Sequence, residues 1–152
     1  ELEGLPRDES RRRAIENIEL VGLSGHEDKY PKQMSGGMRM RASLARSLVL
    51  EPKVFLFDEP FGAVDEITRE RLNDEVISLL LRKNFAGLFI THSISEAVFL
   101  STRILVMSGR PGSVVGEFDV PSAYPRDPEL RFDPAFAELC GQISHALRGA
   151  HS

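Results

Sequence analysis

The sequence has no apolar run long enough to cross a membrane, and it contains a single cysteine. A helix that spans a bilayer needs roughly 20 consecutive apolar residues, and every uninterrupted apolar run here is far shorter. The first residues also lack the basic and then apolar segments of a secretion signal. Cys140 alone forms no internal disulfide framework, which is typical of a reducing compartment. These absences argue against a membrane-spanning or secreted chain.

The composition is that of one domain with a buried core. The chain has 152 residues, of which 41% are hydrophobic and 28% are charged, and a chain of this size can bury a core of its own. The formal net charge of -4 argues against nonspecific binding to nucleic acid. The sequence contains no internal repeat.

Residues 54–57 form an apolar run that ends in two acids. The run predicts a strand that is buried on both faces of a parallel sheet. Asp58 and Glu59 should lie just past its carboxyl end, because a buried carboxylate pair is costly and open α/β sheets bind ligands at this edge. In ATPases an acid at this position holds magnesium and a following glutamate orients the attacking water. Plain strand ends also carry acids, so the pattern alone leaves both interpretations open.

A glycine pair opens the helix that is predicted before this strand. Apolar residues at positions 40, 44, 45 and 48 have helical spacing, Ser35 is a suitable N-cap, and Pro52 stops the helix. Gly36 and Gly37 therefore lie in the first turn. A serine hydroxyl, glycine amides and the positive end of the helix dipole favour an anion, usually a phosphate. An ordinary glycine turn is the alternative for such a motif on its own.

A second apolar run, residues 87–91, ends at His92. A helix with Asp65 as its N-cap is predicted to join the two runs. Two strands joined in this way are parallel and end at the same edge of the sheet. His92 should therefore lie near Asp58 and Glu59.

The other segments predict helices and one hairpin. Ser93 and Glu96 have capping-box spacing and should begin a short helix. The remaining predicted elements are a helix over residues 11–21, strands over 103–107 and 113–120 that pair as a hairpin, and a last helix that starts at 133 and packs on the body of the domain.

Four ordered motifs together resemble the ABC transporter ATPases. They are Ser-Gly-Gly at 35–37, Phe-Leu-Phe-Asp-Glu-Pro at 55–60, Gly-Ala-Val-Asp at 62–65 and Thr-His at 91–92. They look like the signature, Walker B, D-loop and H-loop of that family. The resemblance implies an α/β fold, in which a partial P-loop NTPase-like (RecA-like) parallel sheet is joined to part of the ABC helical subdomain.

The resemblance also implies a role in ATP hydrolysis for each motif. Asp58 would hold Mg²⁺ through water, Glu59 would be the general base or orient the attacking water, and His92 would stabilise the transferred phosphoryl group. The signature residues 35–37 would close over the γ-phosphate held by a second ATPase subunit in a head-to-tail dimer. Asp65 would link the two sites across that interface.

The carboxyl-terminal half is similar to importers of the nitrate, sulfonate, taurine and pyrimidine-precursor group, on the sequence of residues 91–101, the turn at 108–112 and the helix that starts at 133. Such a subunit lies at the cytoplasmic face of the bacterial inner membrane. Its partners are transmembrane permease subunits and, indirectly, a solute-binding protein, with no nucleic acid. The implied divisions are a helical subdomain portion (1–50), an α/β core portion (51–120) and a carboxyl-terminal loop and helix (121–152).

The Walker A loop, G-x-x-x-x-G-K-[ST], is missing from the sequence. In the ABC transporter ATPases, which the chain resembles, this loop precedes the region where the chain begins. We therefore expect the chain to be the carboxyl-terminal portion of a longer ATPase subunit and to be inactive alone. Two other classes stay open: a chromosome or repair ATPase, which would need sustained coiled-coil heptads that are not present, and a noncatalytic interaction module.

Overall fold

The computed structural model describes residues 5–62 and 64–149, which form a mixed α/β fold. In chain order the elements are α1 (Arg7–Leu20), a 3-10 turn (Pro31–Gln33), α2 (Gly36–Leu48), β1 (Val54–Asp58), α3 (Glu66–Lys83), β2 (Ala86–Ile90), α4 (Ile94–Leu100), β3 (Arg103–Met107), β4 (Val114–Asp119), a 3-10 turn (Pro128–Phe132) and α5 (Pro134–Gly149). None of the helices in these two ranges is long and apolar enough to cross a bilayer.

Helices α1 and α2 pack against each other at the start of the chain. The prediction placed the first residue of α1 at position 11, whereas the helix begins at Arg7, directly after Pro6. Proline has a fixed φ that suits the start of a helix, and acids are stabilising in a first turn because they face the positive end of the dipole. Glu9 is one of these acids, and it also accepts hydrogen bonds from Arg12 and Arg13.

Strands β1 and β2 pair in parallel, as predicted, with Leu56 opposite Leu88 and Asp58 opposite Ile90. Helix α3 joins them. Asp65 is its N-cap, as predicted, and Asn84 ends it in the left-handed conformation at φ 51°, which asparagine tolerates better than most residues.

The prediction that β1 is buried on both faces is wrong for the described residues. Phe55 and Phe57 are buried, but Val54 is 58% exposed and Leu56 is 74% exposed. Successive side chains of a strand point to opposite faces. One face of β1 is therefore covered by protein and the other is bare.

Strands β3 and β4 form the predicted antiparallel hairpin, which lies against α5. On α5, Phe136 and Ile143 are buried and belong to the hydrophobic core. At Gly116 of β4 an added Cβ would lie 3.6 Å from the Cβ of Ala146, within van der Waals contact, so α5 lies directly against the hairpin. The last helix packs on the body of the domain, as predicted.

The proline-containing loop after β4 is held by a buried arginine. Arg126 donates hydrogen bonds to the carbonyl oxygens of Val98 (2.8 Å) and Ser101 (2.7 Å), among others, and its guanidinium lies 4.5 Å from the centre of the Tyr124 ring. The last carbonyls of a helix have no partner within the helix. Arg126 supplies donors for the end of α4 and fixes the loop to it.

Candidate functional site

Glu59 and His92 lie together at the carboxyl edge of the parallel strands, as the topology predicted. The Nδ1 atom of His92 is 3.2 Å from Oε1 of Glu59. Both side chains are largely exposed, with 69% and 53% of their area accessible. A carboxylate and an imidazole at hydrogen-bond distance are suited to holding a water molecule and a charged reacting group between them.

The backbone at Glu59 turns sharply away from the strand. Its φ of 43° is positive, which is uncommon for a residue with a side chain and is typical of functional sites. The N–H of Glu59 donates to the carbonyl oxygen of Ile90 (2.8 Å), and the N–H of Gly62 donates to the carbonyl oxygen of Glu59 (3.1 Å). These two bonds fix the turn, so Glu59 is held relative to the end of β2.

Asp58 is the last residue of β1 and is exposed at the same edge. Among residues 5–62 and 64–149, no three His, Cys, Asp or Glu side chains are grouped to hold a metal ion by themselves. Protein sites for Mg²⁺ usually supply one or two carboxylates, and phosphate and water oxygens complete the shell. The exposed Asp58 carboxylate therefore fits a magnesium ion that is shared with a phosphate ligand.

Ser35 begins α2 in the way that the sequence predicted. Its side-chain oxygen accepts a hydrogen bond from the N–H of Met38 (3.2 Å), and no acid lies in the first turn. Ser35 is exposed, Gly36 is half-buried and Gly37 is buried. The Ser35 end of the helix is open to an anion, whereas Gly37 packs inward.

One threonine of α3, Thr68, contacts both Asp65 and the start of α2. Thr68 donates to Asp65 from its N–H (2.9 Å) and from its hydroxyl (2.7 Å), and these bonds lower the pKa of the Asp65 carboxyl. A Cβ on Gly37 would lie 3.5 Å from the Thr68 methyl. Thr68 thus joins the predicted D-loop to the predicted signature helix within one chain.

The structure places Glu96 in a role that the sequence did not indicate. Ser93 caps α4 and accepts a bond from the N–H of Glu96 (3.4 Å), but the reciprocal half of the predicted capping box does not form. The N–H of Ser93 donates to the Thr91 hydroxyl oxygen instead (3.0 Å). Glu96 is 4% exposed, and burial raises the pKa of its carboxyl. Capping-box spacing usually marks an exposed helix start, so it gave no signal of this burial.

A small cavity connects these groups. It is lined by the Glu59–His92 pair, by Glu96 and by Arg69 of α3, among others. Arg69 donates to Glu66 (2.7 Å) and to the carbonyl oxygen of Val64 (3.4 Å). One residue each of the predicted Walker B and D-loop motifs, Glu59 and Gly62, therefore lines one space with His92.

A family model described as ABC transporter matches residues 2–62. The chain is 43% identical over 149 residues to the taurine import ATP-binding protein TauB of Rhizobium johnstonii, covering 95% of this chain and 57% of that protein. It is 45% identical over 141 residues to the aliphatic sulfonates import ATP-binding protein SsuB 1 of Pseudomonas syringae pv. syringae, covering 93% and 58%.

The chain is thus similar to the ATP-binding proteins of ABC transporters over nearly all of its own length.

Solved structures of ATP-binding cassettes have the same fold. The dimeric ATP-binding cassette MJ0796 bound to ADP and Pi superposes with a TM-score of 0.63 at 27% identity, covering 81% of this chain and 52% of that one. The structure of cbiO1 from Clostridium perfringens gives a TM-score of 0.71 at 24% identity, covering 90% and 50%. The chain thus spans somewhat more than half the length of these two relatives and about half the length of these two structures.

Proposed function

We propose that this chain is part of the ATP-binding and ATP-hydrolysing subunit of an ABC importer. The observation that carries the proposal is the 3.2 Å approach of His92 Nδ1 to Glu59 Oε1 at the carboxyl ends of two parallel strands. Open α/β sheets bind nucleotides at such an edge. The relatives named as importer ATP-binding proteins support the transport role.

In this proposal each of the three residues at the carboxyl edge of the sheet has a separate role in ATP hydrolysis. Glu59 orients the attacking water or takes its proton, and the fixed turn at Glu59 holds the carboxylate in place. His92 donates a hydrogen bond to the transferred phosphoryl group and stabilises its charge. Asp58 would hold Mg²⁺, and the ion would supply positive charge that neutralises the phosphate.

The signature end of α2 acts on a different nucleotide. The exposed Ser35 and the half-buried Gly36 present a hydroxyl and helix-end amides outward, which suits the γ-phosphate held by a second subunit in a head-to-tail dimer. Thr68 connects this helix start with Asp65. We propose that Asp65 links the two nucleotide sites across the dimer interface, so that closure of one site is coupled to closure of the other.

The proposed cargo is a small anionic or zwitterionic solute such as taurine or an aliphatic sulfonate. This proposal rests on two relatives that are named as import ATP-binding proteins for taurine and for aliphatic sulfonates. Permease subunits and a solute-binding protein select the solute in such a system, and the ATPase subunit lies at the cytoplasmic face of the membrane. ATP binding favours the closed dimer and hydrolysis releases it, which shifts the permease between its two openings.

The chromosome and repair alternative receives no support from the described residues. The longest helix in ranges 5–62 and 64–149 is α3, with 18 residues, whereas coiled-coil arms need heptads over many turns. The noncatalytic alternative is decided by the hydrolysis experiment that follows.

Replacement of Glu59 by glutamine tests the catalytic proposal. In the full-length subunit, assembled with its permease, we expect Glu59→Gln to retain ATP binding and to lower kcat by about 100-fold or more, because the side chain loses its basic oxygen but keeps its shape. Binding is measured with a fluorescent ATP analogue, and turnover by phosphate release.

Glu138→Gln is the matched control, since Glu138 is exposed on α5. It should hydrolyse ATP at the wild-type rate. Near-normal turnover in Glu59→Gln would remove Glu59 from the catalytic role, and a wild-type complex that binds ATP without hydrolysing it would favour the noncatalytic module.

A further inference from the structure

Both sequence neighbours of His92 are bonded to Glu96. Burial raises the pKa of the Glu96 carboxyl, and a side-chain hydrogen bond with Thr91 works against that rise. The Ser93 side-chain oxygen accepts from the N–H of Glu96 (3.4 Å). The N–H of Ser93 in turn donates to the Thr91 oxygen (3.0 Å). These three bonds form a closed ring around the backbone of His92.

His92 has little other support. Its side chain is 69% exposed, and its described polar contact is the one to Glu59 at 3.2 Å. An exposed imidazole on a loop is free to rotate and shift unless its backbone is fixed. The location of the imidazole therefore depends on how firmly residues 91–93 are held.

Glu96 is held rigidly enough to fix that segment. It lies in the first turn of α4, and the following residues Val98, Phe99 and Leu100 are each at most 2% exposed. One carboxylate oxygen of Glu96 has no hydrogen-bond partner among the described residues. An incompletely paired carboxylate in the interior is unfavourable for stability, so its presence beside the catalytic pair favours a functional reason.

We propose that Glu96 and Thr91 are positioning residues that fix His92 at hydrogen-bond distance from Glu59. The inference rests on the proposed ATPase function. Neither residue needs to touch the nucleotide. Loss of the Thr91 hydroxyl would release the Ser93 N–H and the Glu96 carboxylate together, and the imidazole would lose its fixed distance to Glu59. A misplacement of about 1 Å can lower a rate by up to 10²-fold.

The two variants Thr91→Val and Thr91→Ser separate the hydroxyl from the shape of the side chain. In the full-length subunit with its permease, we expect Thr91→Val to lower kcat by about 10- to 100-fold with KM for ATP unchanged within about twofold, since positioning of the phosphoryl-stabilising group affects the transition state more than binding. Thr91→Ser retains the hydroxyl and should stay within about threefold of wild type.

Thr102→Val is the matched control, because Thr102 is exposed and lies before β3. It should leave both kinetic constants unchanged. Wild-type kcat in Thr91→Val, or an equal loss in Thr91→Ser, would overturn the inference.

A double-mutant cycle tests whether Thr91 and Glu96 act as one unit. Glu96→Met removes the acceptor, whereas Glu96→Gln retains an acceptor oxygen for Thr91. We expect Glu96→Met to match the loss in Thr91→Val, Glu96→Gln to remain active, and the double variant Thr91→Val/Glu96→Met to be no worse than either single change. Fully additive losses would mean that the two residues act separately, and would overturn the inference.

A second readout keeps this inference separate from the ATPase proposal. Amide hydrogen exchange at Ser93, measured by NMR on the 152-residue chain, should accelerate by about tenfold or more in Thr91→Val and stay unchanged in Thr91→Ser. Unchanged exchange in Thr91→Val would overturn the positioning contact itself. A wild-type complex without hydrolysis would instead reject the proposed function.

Discussion

The two faces of the β1–β2 sheet carry similar apolar side chains but differ in their cover. Phe55 and Phe57 are each 7% exposed, whereas Leu56 and Leu88 are 74% and 56% exposed. Helix α3 lies over the aromatic face, where a Cβ on Gly87 would be 3.5 Å from Leu80. No element of residues 5–62 and 64–149 covers the aliphatic face in the same way.

The difference shows that both faces of β1 carry side chains suited to burial, whereas only the aromatic face is packed against other parts of the described chain. Burial of apolar area contributes roughly 25 cal/mol per Å², so an exposed leucine on the bare face adds almost nothing to stability. Exposed apolar patches mark interfaces or aggregation-prone surfaces. We expect this face to be covered by further polypeptide in the full-length subunit, since the relatives and the solved cassettes are nearly twice as long.

The largest effect is expected on the covered face. Phe57 stacks on Phe89 with ring centres 4.1 Å apart, and its ring centre is 5.2 Å from that of Phe55. Phe57→Ala should lower the free energy of unfolding of the 152-residue chain by about 3–5 kcal/mol, because it removes these contacts and leaves a cavity. Urea denaturation measures the change.

Leu56→Ala is the control for the opposite face of the same strand. Its effect in this chain should stay within about 0.5 kcal/mol. Equal losses in the two variants would contradict the contrast between the faces.

A somewhat smaller effect is expected when the same leucine is tested in a longer protein. In the full-length subunit, Leu56→Ala should lower stability by about 2–5 kcal/mol, because the side chain is then buried. The comparison requires the same variant in both lengths and the same denaturant. If Leu56→Ala costs no more in the full-length subunit than in the 152-residue chain, the aliphatic face is bare in both.

Local sequence signals predicted most of the secondary structure, because each signal acts within a few residues. The caps at Ser35, Asp65 and Ser93 are all observed. The approach of His92 to Glu59 was also predictable, since parallel strands joined by a helix must end at one edge. The first residue of α1 was missed, because Pro6 and the first-turn acids extend the helix beyond its apolar pattern.

Burial was harder to predict, because it depends on distant parts of the chain. The apolar run of β1 gave no indication that one face would be bare. Nor did the proline-rich loop indicate that Arg126 would be 7% exposed and bonded to the end of α4. Arginine in such a loop is usually in solvent. The burial of Glu96 belongs to the same class, since packing around α4 determines it.

The smallest effect concerns two carboxylates, one buried and one exposed. The stability of the fold should depend on pH in opposite directions at these two positions. Burial raises the pKa of Glu96, whereas hydrogen bonds from Thr68 lower the pKa of the exposed Asp65. A carboxyl with a raised pKa stabilises the fold below its unfolded pKa of about 4.3 and loses that contribution as pH rises through the folded pKa. Glu96→Gln should therefore become more stable relative to wild type as pH rises above about 4.

Asp65→Asn should change in the opposite direction, and this makes the pair a stringent test. Asparagine retains the cap, but the lowered pKa of Asp65 stabilises the wild type above about pH 3.9 and loses this contribution as pH falls through the folded pKa. Asp65→Asn should therefore lose stability relative to wild type as pH rises from about 2 to 5, and this loss should shrink in high salt because Asp65 is exposed. Thermal unfolding across pH measures both differences. If the stability of both variants changed with pH in the same direction, the opposite pKa shifts of Glu96 and Asp65 would be contradicted.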